Sequence, residues 1–179
     1  ASIPSLSRKP KRLEYAMTLE TITERSQTTS TDAFSWLGRV LSSFAIAEQA
    51  IGELSVALDL PITKGSLSNL ATLRAKLAAS GDRKCVHLEA RIERWNSDRP
   101  IRHLLAHATI TILYDVNGEE VIVTRHLPRD DTDPSPDRTW SIAERTEMLR
   151  RLAADGRSIS DRVRDIKSDA VLMKHLRAL

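Results

Sequence analysis

Cysteine occurs once in the 179 residues, at Cys85, which excludes an internal disulfide and leads us to expect a reducing compartment. No run of eighteen apolar residues is present, and the opening ASIPSLSRKPKRLEY lacks the apolar heart of a secretory signal. The expectation is a soluble, cytoplasmic protein with no membrane partner. Aromatic residues make up only 4% while Ala and Leu are plentiful, which favours helix packing over a sheet sandwich. A Gly-rich phosphate loop is missing too: ADGRS, residues 154–158, has neither the second glycine nor the lysine. No Gly-x-Ser-x-Gly elbow occurs, and Cys85 sits among charged residues without a nucleophile motif, so packing is its expected role. Trp36, Trp95 and Trp140 read as core or interface anchors rather than base-stacking platforms.

What is present suits one globular domain with a tail: 41% apolar residues can bury a core in a chain of this length. The formal charge is only +3, yet twenty of the 27 basic residues are arginine. Arginine matches phosphate bidentately and keeps its charge when buried, so a nucleic-acid partner is permitted, though not required.

Residues 1–31 combine Pro4, Pro10, the basic RKPKR cluster and the Ser/Thr-rich SQTTSTD, and read as a basic, partly mobile arm that includes a possible helix, RLEYAMTLETITER. The domain proper is expected over 32–179. Asp32 is the expected N-cap of a long core helix with Leu37, Leu41, Phe44, Ile51 and Leu58 on one stripe, ended by Pro61. Glu48 falls inside that stripe, between Phe44 and Ile51. An acid so placed needs a cation from a neighbouring helix or a chemical role. A second helix carries Leu67, Leu70 and Leu77 and closes at Gly81; a third, RKCVHLEARIERW, runs to Trp95 before Asn-Ser-Asp interrupts.

Pro100 suits the first turn of a new helix, and the stretch RPIRHLLAHAT, residues 99–109, begins there. After it, β-branched residues flank Asn117-Gly118, which predicts a hairpin over about 109–126 with a two-residue turn. That turn would pair Tyr114 with Val121 and Ile112 with Val123. Residues 128–138 read as an acidic, proline-bearing loop. Ser141 and Glu144 make a capping-box pattern, and Ile142, Leu149, Leu152, Ile159, Val163, Ile166, Ala170 and Met173 follow in helical phase. One long terminal helix over about 141–175, with any bend at Ala-Asp-Gly (154–156), is expected. The fold class is therefore mainly α, an antiparallel helical bundle with one β-hairpin inserted after the motif helix.

Arg102 and His107 are five residues apart and point about 140° away from each other on an ideal helix. His103 and His107 differ by about 40°, and Arg99 continues their stripe one turn earlier. Three readings stay open. In the catalytic one, a histidine exchanges a proton with a ribose hydroxyl or leaving oxygen while arginine stabilises charge on the phosphorus, with no metal or cofactor. Because Arg102 and His107 diverge, such a site closes most easily where two copies meet across a two-fold axis. In the metal reading, His103 and His107 share an ion with His126 or an acid; Cys85 and His87 offer no matching set. In the structural reading, His103 is solvated and His107 is satisfied by a backbone carbonyl.

RHLLAHA resembles the signature of the HEPN superfamily, helical domains with an Arg-x4-6-His motif often written RNxLAHG. Arg102 and His107 match, Leu105-Ala106 reproduce the pair before the histidine, and His103 and Ala108 replace the usual asparagine and glycine. The long first helix with its inward acid and the hairpin after the motif are also similar to bacterial HEPN-like proteins. The resemblance implies a metal-independent endoribonuclease or an RNA-binding protein of bacterial stress or defence, acting as a homodimer, with an antitoxin or other protein partner in toxin systems. It would make Arg102 the ligand of the scissile phosphate, His107 the general acid or base and His103 a positioning group. Glu48 is placed to orient Arg102 or His107, and Arg94 and Arg99 are the expected RNA contacts. The alternative is a non-catalytic helical module for dimerisation or partner binding.

Overall fold

A computed structural model describes residues 12–61, 67–125 and 137–179, with side chains from Asp32 onward. The order is α1 (Arg12–Ala57), α2 (Leu70–Ala79), α3 (Arg83–Ser97), α4 (Arg99–His107), β1 (Thr109–Tyr114), β2 (Glu120–Arg125), β3 (Arg138–Trp140), α5 (Ile142–Lys167) and α6 (Ala170–Ala178). The protein is mainly helical with one small antiparallel sheet.

Helix α1 runs unbroken from Arg12, so Asp32 is an interior residue and not the expected N-cap. The Ser/Thr cluster before it has modest helix propensity, but neither proline nor glycine stands between Arg12 and Trp36 to break the ladder. The helix ends through Asp59, in the left-handed conformation at φ 58°, with Leu60 N–H returning to the Ser55 carbonyl at 3.0 Å. Val40, Phe44, Ala47, Ile51 and Leu54 are wholly buried along α1; Leu37 and Leu41, expected on the stripe, are only half-buried. The segment Asp32–Ala57 is long and apolar enough to cross a membrane by composition, but half of its most apolar stretch is buried inside this fold. That burial is what a core helix requires.

The partner of α1 is α5, which contributes Leu152, Ile159, Val163 and Ile166 to the core. Trp36 Nε1 donates to the Arg145 carbonyl at 3.0 Å near the start of α5, and Lys167 pairs with Glu53 at 2.9 Å near its end. The two helices thus run in the same direction, so the bundle is mainly helical as expected but not antiparallel throughout. Helix α3 runs against α5, because Lys84 meets Asp169 while Asp98 meets Arg151. Leu88, Ile92 and Trp95 of α3 are fully buried, and Trp95 lies 6.0 Å from Phe44 between ring centres. Each such buried side chain contributes about 1.5–3 kcal/mol relative to exposure.

The expected capping box is formed: Ser141 Oγ accepts from Glu144 N–H, and the Glu144 carboxylate accepts from Ser141 N–H. Helix α5 continues through Gly156 but stops at Lys167, and Ser168-Asp169 separate it from α6. The expected single helix over 141–175 is therefore two. The Asp169 carboxylate accepts from Leu172 N–H at 3.1 Å, a local bond that starts a new helix in competition with continuing the old one. Leu172, Met173 and Leu176 return to the core, whereas Ile142 and Ala170, expected on the apolar stripe, are exposed.

The hairpin lies where it was expected, but its register differs by one residue. Tyr114 pairs with Glu120 and Ile112 with Ile122. Three residues, Val116 to Gly118, bridge a closing pair in which Asp115 N–H donates to the Glu119 carbonyl, and Gly118 takes φ +76°. This is the three-residue loop ending in a left-handed glycine. The slip puts Glu120, Ile122 and Thr124 on the face shared with Ile110 and Ile112, and moves Val121 and Val123 to the other. A third strand, unexpected from sequence, joins β2 by pairing Trp140 with Ile122. Residues 126–136, most of the acidic loop, lie outside the described residues, as does His126. Trp140 Nε1 donates to Thr124 Oγ1 at 3.0 Å, and its ring meets Trp36 at 5.7 Å.

Candidate functional site

The motif helix α4 is anchored at both ends. Asp98 sits between α3 and α4, its carbonyl accepting from Ile101 N–H at 3.0 Å and its carboxylate gripped by both terminal nitrogens of Arg151 from α5. Pro100 occupies the first turn, where its missing N–H costs nothing. Leu105 is buried, with Ile101 and Leu104 beside it, so this face pins α4 to the core. Ala108 follows at φ −77° and ψ 150°, ordinary extended backbone leading into β1. Alanine is comfortable at a position where the resemblance has glycine.

This anchoring brings Glu48 of α1 against Arg102. Glu48 Oε1 lies 3.5 Å from Arg102 Nε; Glu48 is 20% exposed and Arg102 40%. An ion pair this accessible to water adds little stability, of order 1 kcal/mol or less. The carboxylate lies at ion-pair distance from the stem nitrogen, without a hydrogen bond, and the guanidinium remains open to solvent.

His107 closes α4 and is exposed. Its ring lies 4.6 Å from that of half-buried His103, centre to centre, tilted by 48°. The structure thus forms two pairs, Glu48 with Arg102 and His103 with His107, on different sides of one short helix. The remaining candidates lie elsewhere. Arg99 donates to Asn96 Oδ1 at 3.3 Å, and Arg94 turns toward α5, where it meets Asp155 at 3.2 Å. No three His, Cys, Asp or Glu side chains gather as a metal-ligand set among the described residues.

Two charged clusters were not read from the sequence. Asp155, 3% exposed, receives both Arg91 and Arg94 on one oxygen, at 2.9 and 3.2 Å. Its signal was available, since Asp155 interrupts the apolar phase between Leu152 and Ile159 just as Glu48 interrupts that of α1. Glu120 and Arg145 form a buried ion pair beneath the sheet. Glu120 was hidden by the register, which had placed it away from the core. The Glu120–Arg145 pair lies at the floor of a cleft of about 670 Å³ bordered by Trp36, Arg39, Arg150 and Arg157, apart from the motif helix.

The fold and this site define a mainly helical protein that presents an Arg-x4-His helix beside a small antiparallel sheet. No protein-family model, curated protein or solved structure matches the chain.

Proposed function

We propose that the protein is a HEPN-like, RNA-directed protein whose α4 helices, brought together in a homodimer, form a metal-independent endoribonuclease centre. The observation that carries this reading is the Glu48–Arg102 pair: an inward acid of the first helix meets the motif arginine while leaving it accessible. Arg102 supplies a preorganised cation to the non-bridging oxygens of the scissile phosphate as negative charge builds there. His107, exposed at the helix end, supplies a proton donor or acceptor. The ribose 2′-hydroxyl loses its proton and attacks phosphorus, the bond to the 5′-oxygen breaks, and that oxygen takes a proton. The products are a 2′,3′-cyclic phosphate and a 5′-hydroxyl. His103, packed on His107, holds the imidazole in place. Arg102 and His107 diverge on α4, so a complete site takes the arginine of one copy and the histidine of its partner.

Cleavage of a mixed RNA pool in excess chelator tests the reading, comparing wild type with His107→Ala and analysing the product ends. Cyclic phosphate ends from wild type alone are expected, with the variant folded as stably as wild type because His107 is exposed. A well-folded wild type that leaves the pool intact, where a known ribonuclease cuts it, refutes the enzyme and favours the helical interaction module.

A further inference from the structure

Helices α3 and α5 meet along a polar seam with a regular order of ion pairs. From one end, Asp98 pairs with Arg151, Asp155 with Arg91 and Arg94, and Lys84 with Asp169. Because the helices are antiparallel, the step between the Asp155 cluster and Lys84–Asp169 juxtaposes His87 of α3 with Arg162 of α5. Every other step holds a carboxylate; this one holds none. In its place is a cavity of about 340 Å³ lined by His87, Ala90, Arg91, Arg94 and Arg162.

Arg162 makes no ion pair among the described residues, and its Nε is shielded from solvent without an acceptor. A buried guanidinium N–H in that state bears the cost of desolvation with nothing returned. The acids nearby do not reach it. Asp161 pairs with Arg164, Asp165 makes no ion pair among the described residues and lies one turn along toward Lys84, and Asp155 spends Oδ1 on Arg91 and Arg94 while its buried Oδ2 has no partner. With Arg91, Arg94 and Arg162 lining the cavity, and only Asp155 paired to two of them, the local charge is net positive and favours an anion.

We propose that this gap in the α3–α5 seam is a binding site for a phosphate group, which takes the place of the missing carboxylate between His87 and Arg162. Tetrahedral oxygens suit the site because separate oxygens can accept from the terminal nitrogens of Arg162 and from the outer arginines at once, whereas a chloride ion offers a single acceptor centre. Two sources share this chemistry, a small free phosphate and the backbone phosphate of an RNA strand. The site is separate from the Arg102–His107 motif and does not depend on the nuclease reading.

Isothermal titration of the full chain with inorganic phosphate, and separately with an oligouridylate lacking terminal phosphates, both in constant chloride, tests the proposal. Saturable single-site binding of at least one probe is expected, weakened about tenfold or more in Arg162→Gln by loss of a charge-assisted hydrogen bond. Arg164→Gln, on the same helix but paired outward with Asp161, leaves it unchanged, as does His107→Ala. Binding of phosphate alone identifies a small-molecule site; binding of the oligonucleotide alone identifies a backbone contact. Phosphate-dependent shifts of the His87 imidazole signals in wild type give a readout independent of any variant's folding. Absence of saturable binding with both probes, equal losses in Arg162→Gln and Arg164→Gln, or loss in His107→Ala overturns the site.

Discussion

Gly156 lies buried in the middle of α5, and a Cβ built there would stand 3.0 Å from the carbonyl oxygen of Ser43 in α1 and 3.9 Å from Ile46 Cγ2. That oxygen belongs to the α1 hydrogen-bond ladder and cannot swing aside as a side chain does. Gly38, exposed in the interior of α1, is the internal control, because a Cβ there meets nothing within 4 Å. Alanine is favoured over glycine in a helix interior by about 1 kcal/mol, so Gly38→Ala should stabilise the protein by about that amount. Gly156→Ala gains the same propensity but must push two packed helices apart by a few tenths of an ångström, and overpacking of this kind costs about 1–3 kcal/mol. The net expectation is a loss of up to about 2 kcal/mol, which for a chain of this size lowers the melting midpoint by about 2–4 °C per kcal/mol. Urea unfolding of both variants, followed by far-ultraviolet circular dichroism, measures the difference directly. If Gly156→Ala proves as stable as Gly38→Ala, the close approach of α1 and α5 is not the reason for the glycine.

Two further outcomes follow from charge placement. Glu120→Ala should cost about 3–5 kcal/mol by stranding the buried Arg145 guanidinium, whereas Glu120→Leu combined with Arg145→Met should cost less than the single change; additive losses in chemical unfolding would contradict a buried, coupled pair. Asp169 is held below its ordinary value of 3.8, first by the Leu172 backbone N–H and then by Lys84, while Lys84 is raised above 10.5, chiefly by Asp169. The Asp169 contribution is therefore complete above pH 3.8 and fades as pH falls through its lowered folded value; that of Lys84 is complete below pH 10.5 and fades as pH rises through its raised one. Melting midpoints should exceed those of Asp169→Ala across neutral pH and converge with them in strong acid; a gap that persists there would assign the effect to packing.

The sequence made legible what depends on a single element. Helix period alone placed Glu48 among Phe44 and Ile51, and a buried-stripe acid demands a cation, which is why its pairing with Arg102 could be expected before any contact was seen. The Ser141–Glu144 box was readable for the same reason, since both partners lie within one turn. Readings that rested on counting through a turn, or on where a helix begins or ends, went astray: Asp32 is interior to α1, and the helix expected over 141–175 is two. Asn117-Gly118 signals a hairpin whether the loop has two residues or three, yet the third residue reverses which side chains of β2 face inward, and with it the fate of Glu120. The three residues of β3 carry no period of their own and become a strand only by pairing with β2.

The seam between α3 and α5 is the limiting case of that rule. His87 and Arg162 are each ordinary on their own helices, and no motif joins one to the other. Their significance lies in a relation among steps: Arg151, Arg91 with Arg94, and Lys84 each meet an acid, and Arg162 does not. A missing partner can be recognised only once the register between the two helices is known and the neighbouring partners are in place. Register between helices is set by the core that α3, with its buried Leu88, Ile92 and Trp95, shares with α5, a property of the assembled protein. An anion that fills the gap would therefore report on tertiary structure, and its binding should be lost when the core loosens even though α3 and α5 remain helical.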